Sequence, residues 1–274
     1  YSLISGYIRC RKPKFALKAY DQMQEKHSSL PSAHIFVALF KACATLKDLE
    51  RGIRLHCEVV MMGFLEENLF VGSSLVDMYV KCESLIVAHQ VFDMLPFRDV
   101  VSWNILISGY ADNGNAEEAL RCFLHMQNDG VFPTDGTYVC ILKACGSIKA
   151  IEKGREIHAD IERKGLLKIY ALVGNSLVDM YAKCGFPITA EHIFDRLPNH
   201  DIVSWNALIS GYTECGCSEK ALRCYEKMLL MGVSPDAITL LCGLKACGRL
   251  GAMRKGEEIH AEIERQGILG RDPF

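Results

Sequence analysis

From Trp103 the apolar residues Trp103, Leu106, Ile107 and Tyr110 fall at i, i+3, i+4 and i+7, the spacing of one face of a helix. The pattern stops at Asn113, Gly114 and Asn115, a turn sequence. It resumes with Ala119, Leu120, Phe123 and Met126, which predicts a second helix packed back on the first. Gly130 and Pro133 end that helix, glycine by taking a left-handed cap and proline by refusing to continue. Residues 202–236 repeat every feature with Trp205, Leu208, Ile209 and Tyr212, then Gly216, then Ala221, Leu222, Tyr225 and Met228, then Gly232 and Pro235. One such hairpin cannot bury both of its apolar faces, so the pattern predicts a stack of hairpins rather than a single globular core.

The repeat has a compound period. Trp103 and Trp205 lie 102 residues apart, too far for one hairpin and right for three. The strings KACATLKDLERGIRLH, KACGSIKAIEKGREIH and KACGRLGAMRKGEEIH begin at Lys41, Lys143 and Lys245, and SLVDMYVKC and SLVDMYAKC begin at Ser74 and Ser176, all with that same spacing. Three motif types therefore alternate over residues 33–68, 69–99, 100–134, 135–170, 171–201, 202–236 and 237–272. Residues 1–32 read as a motif lacking its first residues, because Leu3, Ile4, Gly6 and Tyr7 match Leu106, Ile107, Gly109 and Tyr110. With Pro273 and Phe274 left over, the chain is expected to be a fragment of a longer array. The fold expected over residues 1–274 is an all-α, right-handed α-solenoid, with first helices on the concave side and second helices outside.

Composition narrows the function. Half the residues are hydrophobic and 23% are charged, which suits a packed chain and argues against disorder. No apolar run reaches the ~18 residues that span a bilayer, and the N-terminal YSLISGYIRCRKPKF has no signal-peptide layout. The 13 cysteines are odd in number and repeat-locked. Cys43, Cys145 and Cys247 share one position and Cys82 and Cys184 another, where reduced thiols would pack as small apolar groups. A net charge of −2 means that any nucleic-acid binding must come from local placement of basic groups.

The segments VSWNxLISGY, LKACxxxxxxxxGxxIH and SLVDMYxKC resemble the pentatricopeptide repeat family, in its subclass of alternating P, L and S motifs, over essentially the whole chain. On that resemblance residues 1–32, 100–134 and 202–236 are P motifs, 33–68, 135–170 and 237–272 are L motifs, and 69–99 and 171–201 are S motifs. The tetratricopeptide hairpin is similar, but its Trp-x-x-Leu-Gly pattern is absent. The resemblance implies binding of single-stranded organellar RNA, mostly to mark cytidines for conversion to uridine in a chloroplast or mitochondrion. It implies one base per repeat, read by the fifth and last residues of a motif, with the second residue packed between neighbouring bases. The base-reading pairs are then Ser73 with Asp99, Asn104 with Thr134, Asn175 with Asp201, and Asn206 with Asp236; Phe70, Val101, Leu172 and Val203 sandwich the bases. Family rules give guanine to Ser–Asp, uracil to Asn–Asp and a pyrimidine to Asn–Thr. Bound parallel to the chain, the RNA core is G-Y-N-U-U, its middle base set against Val139. The fifth residues Val37, Val139 and Leu241 of the L motifs cannot hydrogen-bond, and the family suggests that small editing cofactor proteins dock there. Tyr1 stands irregularly at the fifth position of the first motif.

Each polar position has a second reading. Asn near a helix start and Asp before the next motif are also ordinary caps and turn formers. Lys81 and Lys183 recur near first-helix ends, where they could meet phosphate or simply sit in a solvated face; Asp112 and Glu214 stand there in the P motifs. Catalysis finds little support. His56-Cys57-Glu58 and His260-Ala261-Glu262 match half of a zinc deaminase signature, but no Cys-x-x-Cys follows, and His158-Ala159-Asp160 at the equivalent position marks these histidines as packing residues. No cofactor, metal, membrane or enzymatic role is expected. A protein-binding scaffold with no RNA role is the other functional reading.

Overall fold

The computed structural model describes residues 2–25 and 31–268, and every regular element among them is helical. Tyr1, part of the junction closing the first motif (26–30) and the end of the last (269–272) lie outside the described residues. The chain divides into two compact units, residues 1–137 and 138–274. In the first, hairpins form from Ser2–Arg9 with Pro13–Glu25, Ala33–Leu46 with Leu49–Met61, Leu69–Lys81 with Leu85–Met94, and Val100–Asp112 with Ala116–Asn128. In the second, Ile151–Arg163 precedes Ala171–Lys183 with Pro187–Asp195, Ile202–Glu214 with Ser218–Leu230, and Ala237–Leu250 with Met253–Arg265; Asp135–Ser147 carries the boundary between units. Within each unit successive first helices pack on one another, which makes each an α-solenoid. Among the described residues no helix is long and apolar enough to cross a membrane.

The periodic apolar residues become the core. Phe36, Leu39 and Phe40, then Leu75 and Met78, then Leu106 and Ile107 are fully buried, and Leu177, Met180, Ile209 and Tyr212 repeat the arrangement in the second unit. Each such side chain contributes about 1.5–3 kcal/mol through its removal from water. Trp103 and Trp205 sit against Phe92 and Phe194 at ring-centroid distances of 4.6 and 4.5 Å. Close helix approach sets one requirement: a Cβ on Gly211 would lie 2.5 Å from Ala182 Cβ and 3.1 Å from its Cα, so only glycine lets Ile202–Glu214 seat against Ala171–Lys183.

The 31-residue-spaced and 35-residue-spaced motifs are plain hairpins, but the motifs at 33–68 and 135–170 carry a third short element, Phe64–Glu67 in one and a 3₁₀ turn Leu166–Lys168 in the other. Two helices per motif is the pattern's prediction, and it needs this correction. Gly63 and Gly165 take positive φ, 72° and 66°, and turn the chain so that Phe64 meets Phe36 at 5.9 Å and Leu167 is buried. Cys43, Cys145 and Cys247 are buried free thiols; burial pushes Cys43 and Cys145 up to about 12, where they stay protonated and pack as apolar groups.

Candidate nucleic-acid interface

The junction between motifs places two polar side chains together. Asp99, Asp201 and Asp236 each end one motif and cap the first helix of the next: Ser102 N donates to Asp99 at 2.9 Å, Ser204 N to Asp201 at 2.9 Å, and Ile238 N and Thr239 N to Asp236 at 3.0 Å. A carboxylate at a helix N-terminus is held by the orphan N–H groups and by the dipole. The capping role expected of these residues is therefore real, and it leaves one carboxylate oxygen for a second partner.

That partner is the fifth residue of the preceding motif. Asn175 Nδ2 donates to both oxygens of Asp201 at 3.1 and 3.0 Å, and Asn206 Nδ2 to Asp236 Oδ2 at 2.8 Å. Because a carboxylate only accepts, each amide has one allowed orientation, with nitrogen toward the acid. The opposite end is left over: Asn175 Oδ1 and Asn206 Oδ1 are buried with no hydrogen-bond partner among the described residues. Asn175 as a whole is only 4% exposed. A buried acceptor without a donor costs about 1–3 kcal/mol, so these two oxygens are unmet demands for an N–H. Burial alone would raise the carboxyl of Asp201, but the Ser204 N–H, the Asn175 amide and the Ser204 hydroxyl outweigh it and hold the group below its ordinary range. The same balance, with Thr239 N–H and the Asn206 amide, holds Asp236 down.

The other two pairs differ. Asn104 Nδ2 donates to Thr134 Oγ1 at 3.2 Å, but Asn104 Oδ1 is also occupied, accepting from Thr137 Oγ1 at 2.6 Å. Ser73 turns its hydroxyl back onto the Phe70 carbonyl at 3.3 Å, and no hydrogen bond joins it to Asp99 among the described residues. Thr137 is the residue that sequence reasoning missed. Its signal is its recurrence as Thr239, 102 residues on.

The second residues stand beside these junctions as solvent-exposed apolar side chains. Phe70, Val101, Leu172 and Val203 are 70, 53, 66 and 54% exposed, in contrast to the buried periodic residues of the same helices. Lys81 and Lys183 are exposed near their helix ends, each bonded at 2.7 Å to the carboxylate one turn back, Asp77 and Asp179. A phosphate would have to compete with that carboxylate. The deaminase-like histidines serve packing: His56 Nδ1 lies 3.0 Å from the Tyr79 hydroxyl and His158 Nδ1 3.0 Å from that of Tyr181, and burial lowers the pKa of both. His260, expected to pack in the same way, is instead exposed and lies 3.7 Å from Glu264. Among the described residues no cluster of His, Cys, Asp and Glu is arranged to hold a metal ion.

Comparison with known proteins agrees with the repeat reading. Residues 98–147 and 200–249 match the PPR repeat family model, and residues 1–28 and 175–202 match the PPR repeat model. A putative pentatricopeptide repeat-containing protein of Arabidopsis thaliana is 35% identical over 98% of this chain and 48% of its own length. Two further Arabidopsis thaliana relatives, one named chloroplastic and one mitochondrial, are 36 and 33% identical over 89 and 98% of this chain, and 46 and 44% of their own. The chain thus spans less than half the length of these curated relatives. The crystal structure of the maize pentatricopeptide repeat protein PPR10 in complex with an 18-nt psaJ RNA element superimposes with a TM-score of 0.81 at 23% identity, over all of this chain and 40% of that one; the likeness shows the solenoid fold. By its repeat models and by its similarity to these relatives, the chain belongs to the pentatricopeptide repeat family.

Proposed function

We propose that the chain binds single-stranded RNA in a sequence-specific manner, one base per repeat, and supplies the site specificity of organellar C-to-U editing while catalysis is provided elsewhere. The observation that carries the reading is the unmet acceptor of Asn175 and Asn206 beside the exposed Leu172 and Val203. A small rotation of the amide presents that oxygen to a base. Uracil offers N3–H as a donor on its Watson–Crick edge; cytosine offers an acceptor at the same atom, and two acceptors repel. The aliphatic second residue provides the apolar surface against which a base face lies. A relative that binds RNA on the same fold, and relatives named for chloroplast and mitochondrion, support the class of ligand and the compartment.

Ser73 with Asp99 then takes guanine, Asn104 with Thr134 a pyrimidine, the motif containing Val139 any base, and the two Asn–Asp pairs uracil, giving G-Y-N-U-U from the 5′ end. Residues 33–68, 135–170 and 237–272 are L motifs in this scheme, and their apolar fifth residues Val37, Val139 and Leu241 are where a small editing cofactor protein docks. Selection of bound RNA from a random pool tests the reading. Enrichment of the pentamer supports it, and no retention at low salt favours a protein-binding scaffold instead.

A further inference from the structure

Thr137 lies outside the fifth and last positions of any motif, yet it closes a hydrogen-bond network around Asn104. Its hydroxyl accepts from Thr134 N at 3.0 Å and donates to Asn104 Oδ1 at 2.6 Å; Thr134 Oγ1 accepts from Asn104 Nδ2 at 3.2 Å and lies 3.1 Å from Thr137 Oγ1. The 2.6 Å contact has the length of an O–H···O bond, while the 3.2 Å contact falls in the N–H···O range. The amide oxygen is therefore the end that faces Thr137. With the Thr137 proton spent on Asn104, the bond between the two hydroxyls runs from Thr134 to Thr137. Thr137 is fully buried, which shields its own hydroxyl from water, while the Asn104–Thr134 contact lies at the exposed edge of the network.

The equivalent threonine one period later behaves differently, and the difference lies in its neighbour. Thr239 donates to Asp236, 3.2 Å from its carbonyl and 2.9 Å from Oδ1, and is drawn away from Asn206. Asp236 Oδ2 takes the Asn206 nitrogen, and Asn206 Oδ1 is left without a donor. Where Thr134 replaces the acid there is no carboxylate to attract the hydroxyl, and it turns to the amide oxygen instead.

We propose that Thr137 is a positioning residue that sets the hydrogen-bond polarity of Asn104, engaging its acceptor so that this repeat prefers cytosine to uracil. The inference rests on the base-reading role proposed above and makes its open pyrimidine position definite. With one lone pair of Oδ1 already engaged by Thr137, a base N–H meets a partly satisfied and less accessible acceptor, whereas the remaining Nδ2–H of Asn104 is free to meet the N3 acceptor of cytosine. Position 104 and position 206 carry the same amide and read opposite polarities.

The test uses the 274-residue chain and RNA oligonucleotides with a G-C-A-U-U or G-U-A-U-U core, with affinity measured by fluorescence anisotropy. The wild type binds the cytosine form more tightly, by roughly five-fold, the effect of one net hydrogen bond. Thr137→Val, which keeps shape and removes the hydroxyl, abolishes or reverses that ratio, and Thr137→Ser restores it. Thr239→Val leaves the uracil preference at the last base unchanged, because Asp236 holds Asn206 there. A helical melt by circular dichroism establishes that each variant folds; if the valine variant does not, Thr137→Cys is read the same way. An unchanged cytosine-to-uracil ratio in Thr137→Val, with both terminal uracils still discriminated, overturns the inference and leaves the base-reading scheme standing. Loss of discrimination at those uracils in the wild type overturns the scheme itself.

Discussion

At Asn206 a neighbouring acid decides which end of an amide is left over. Asp236 accepts Asn206 Nδ2 at 2.8 Å while its other oxygen caps the next helix, so the orientation is enforced by a group that cannot donate. The side chain at the fifth position can then be exchanged predictably. In Asn206→Thr with Asp236 kept, the hydroxyl proton goes to the acid and a shorter acceptor faces the base, which leaves room for a purine. Preference at that base is expected to move from uracil to guanine by about ten-fold or more, since base-edge contacts discriminate by roughly 1–3 kcal/mol. Titration with four oligonucleotides differing only at that base is the check. Equal loss for all four bases would make Asn206 a structural residue. The Asn–Asp pairing was legible in the sequence only through the family resemblance, because recurrence alone does not separate a reader from a cap. In the structure one aspartate both caps the next helix and holds the amide of the preceding motif's fifth residue. Thr137 escaped because its recurrence as Thr239 reads as that of any helix-start threonine; its partner Asn104 is 33 residues away, and only coordinates bring them together.

For the elements, the decisive constraint is how closely first helices approach. Gly211 faces Ala182 with no room for a methyl group, and the clash includes backbone, which cannot rotate away. Gly211→Ala is expected to cost about 1–3 kcal/mol, the usual penalty for overpacking, read as a lowered midpoint in urea-induced unfolding monitored by circular dichroism. An unchanged midpoint would mean that the two helices separate at little cost. The alternation of apolar residues made these helices legible: Trp103 to Tyr110 predicted a helix that runs Val100–Asp112, and Ala119 to Met126 one that runs Ala116–Asn128. The short elements after Gly63 and Gly165 were not legible, because four and three residues carry too little periodicity to register. Tight turns were legible only where glycine marks them. Lys47, Glu83 and Lys149 adopt positive φ of 54, 61 and 56° in turns equivalent to those that use Gly114 or Gly251, a conformation a lysine or glutamate does not advertise.

Across the whole chain the electrostatics are muted. Net charge is −2, and Lys81 and Lys183, the cations proposed to meet phosphate, are already bonded to Asp77 and Asp179. RNA binding should therefore weaken with salt along a shallow slope, because few counterions are displaced. A slope matching eight or more phosphates, by anisotropy titration across a salt series, would contradict that picture. Affinity must then come from base faces on exposed aliphatic side chains and from the amide acceptors. The most direct measurement is a full substitution series across the G-Y-N-U-U core, each position changed in turn to every other base. Changing either uracil is expected to cost about ten-fold or more and changing the middle base little, as hydrogen-bonded and apolar fifth residues require; a middle base more sensitive than both uracils would contradict the assignment of motifs to bases.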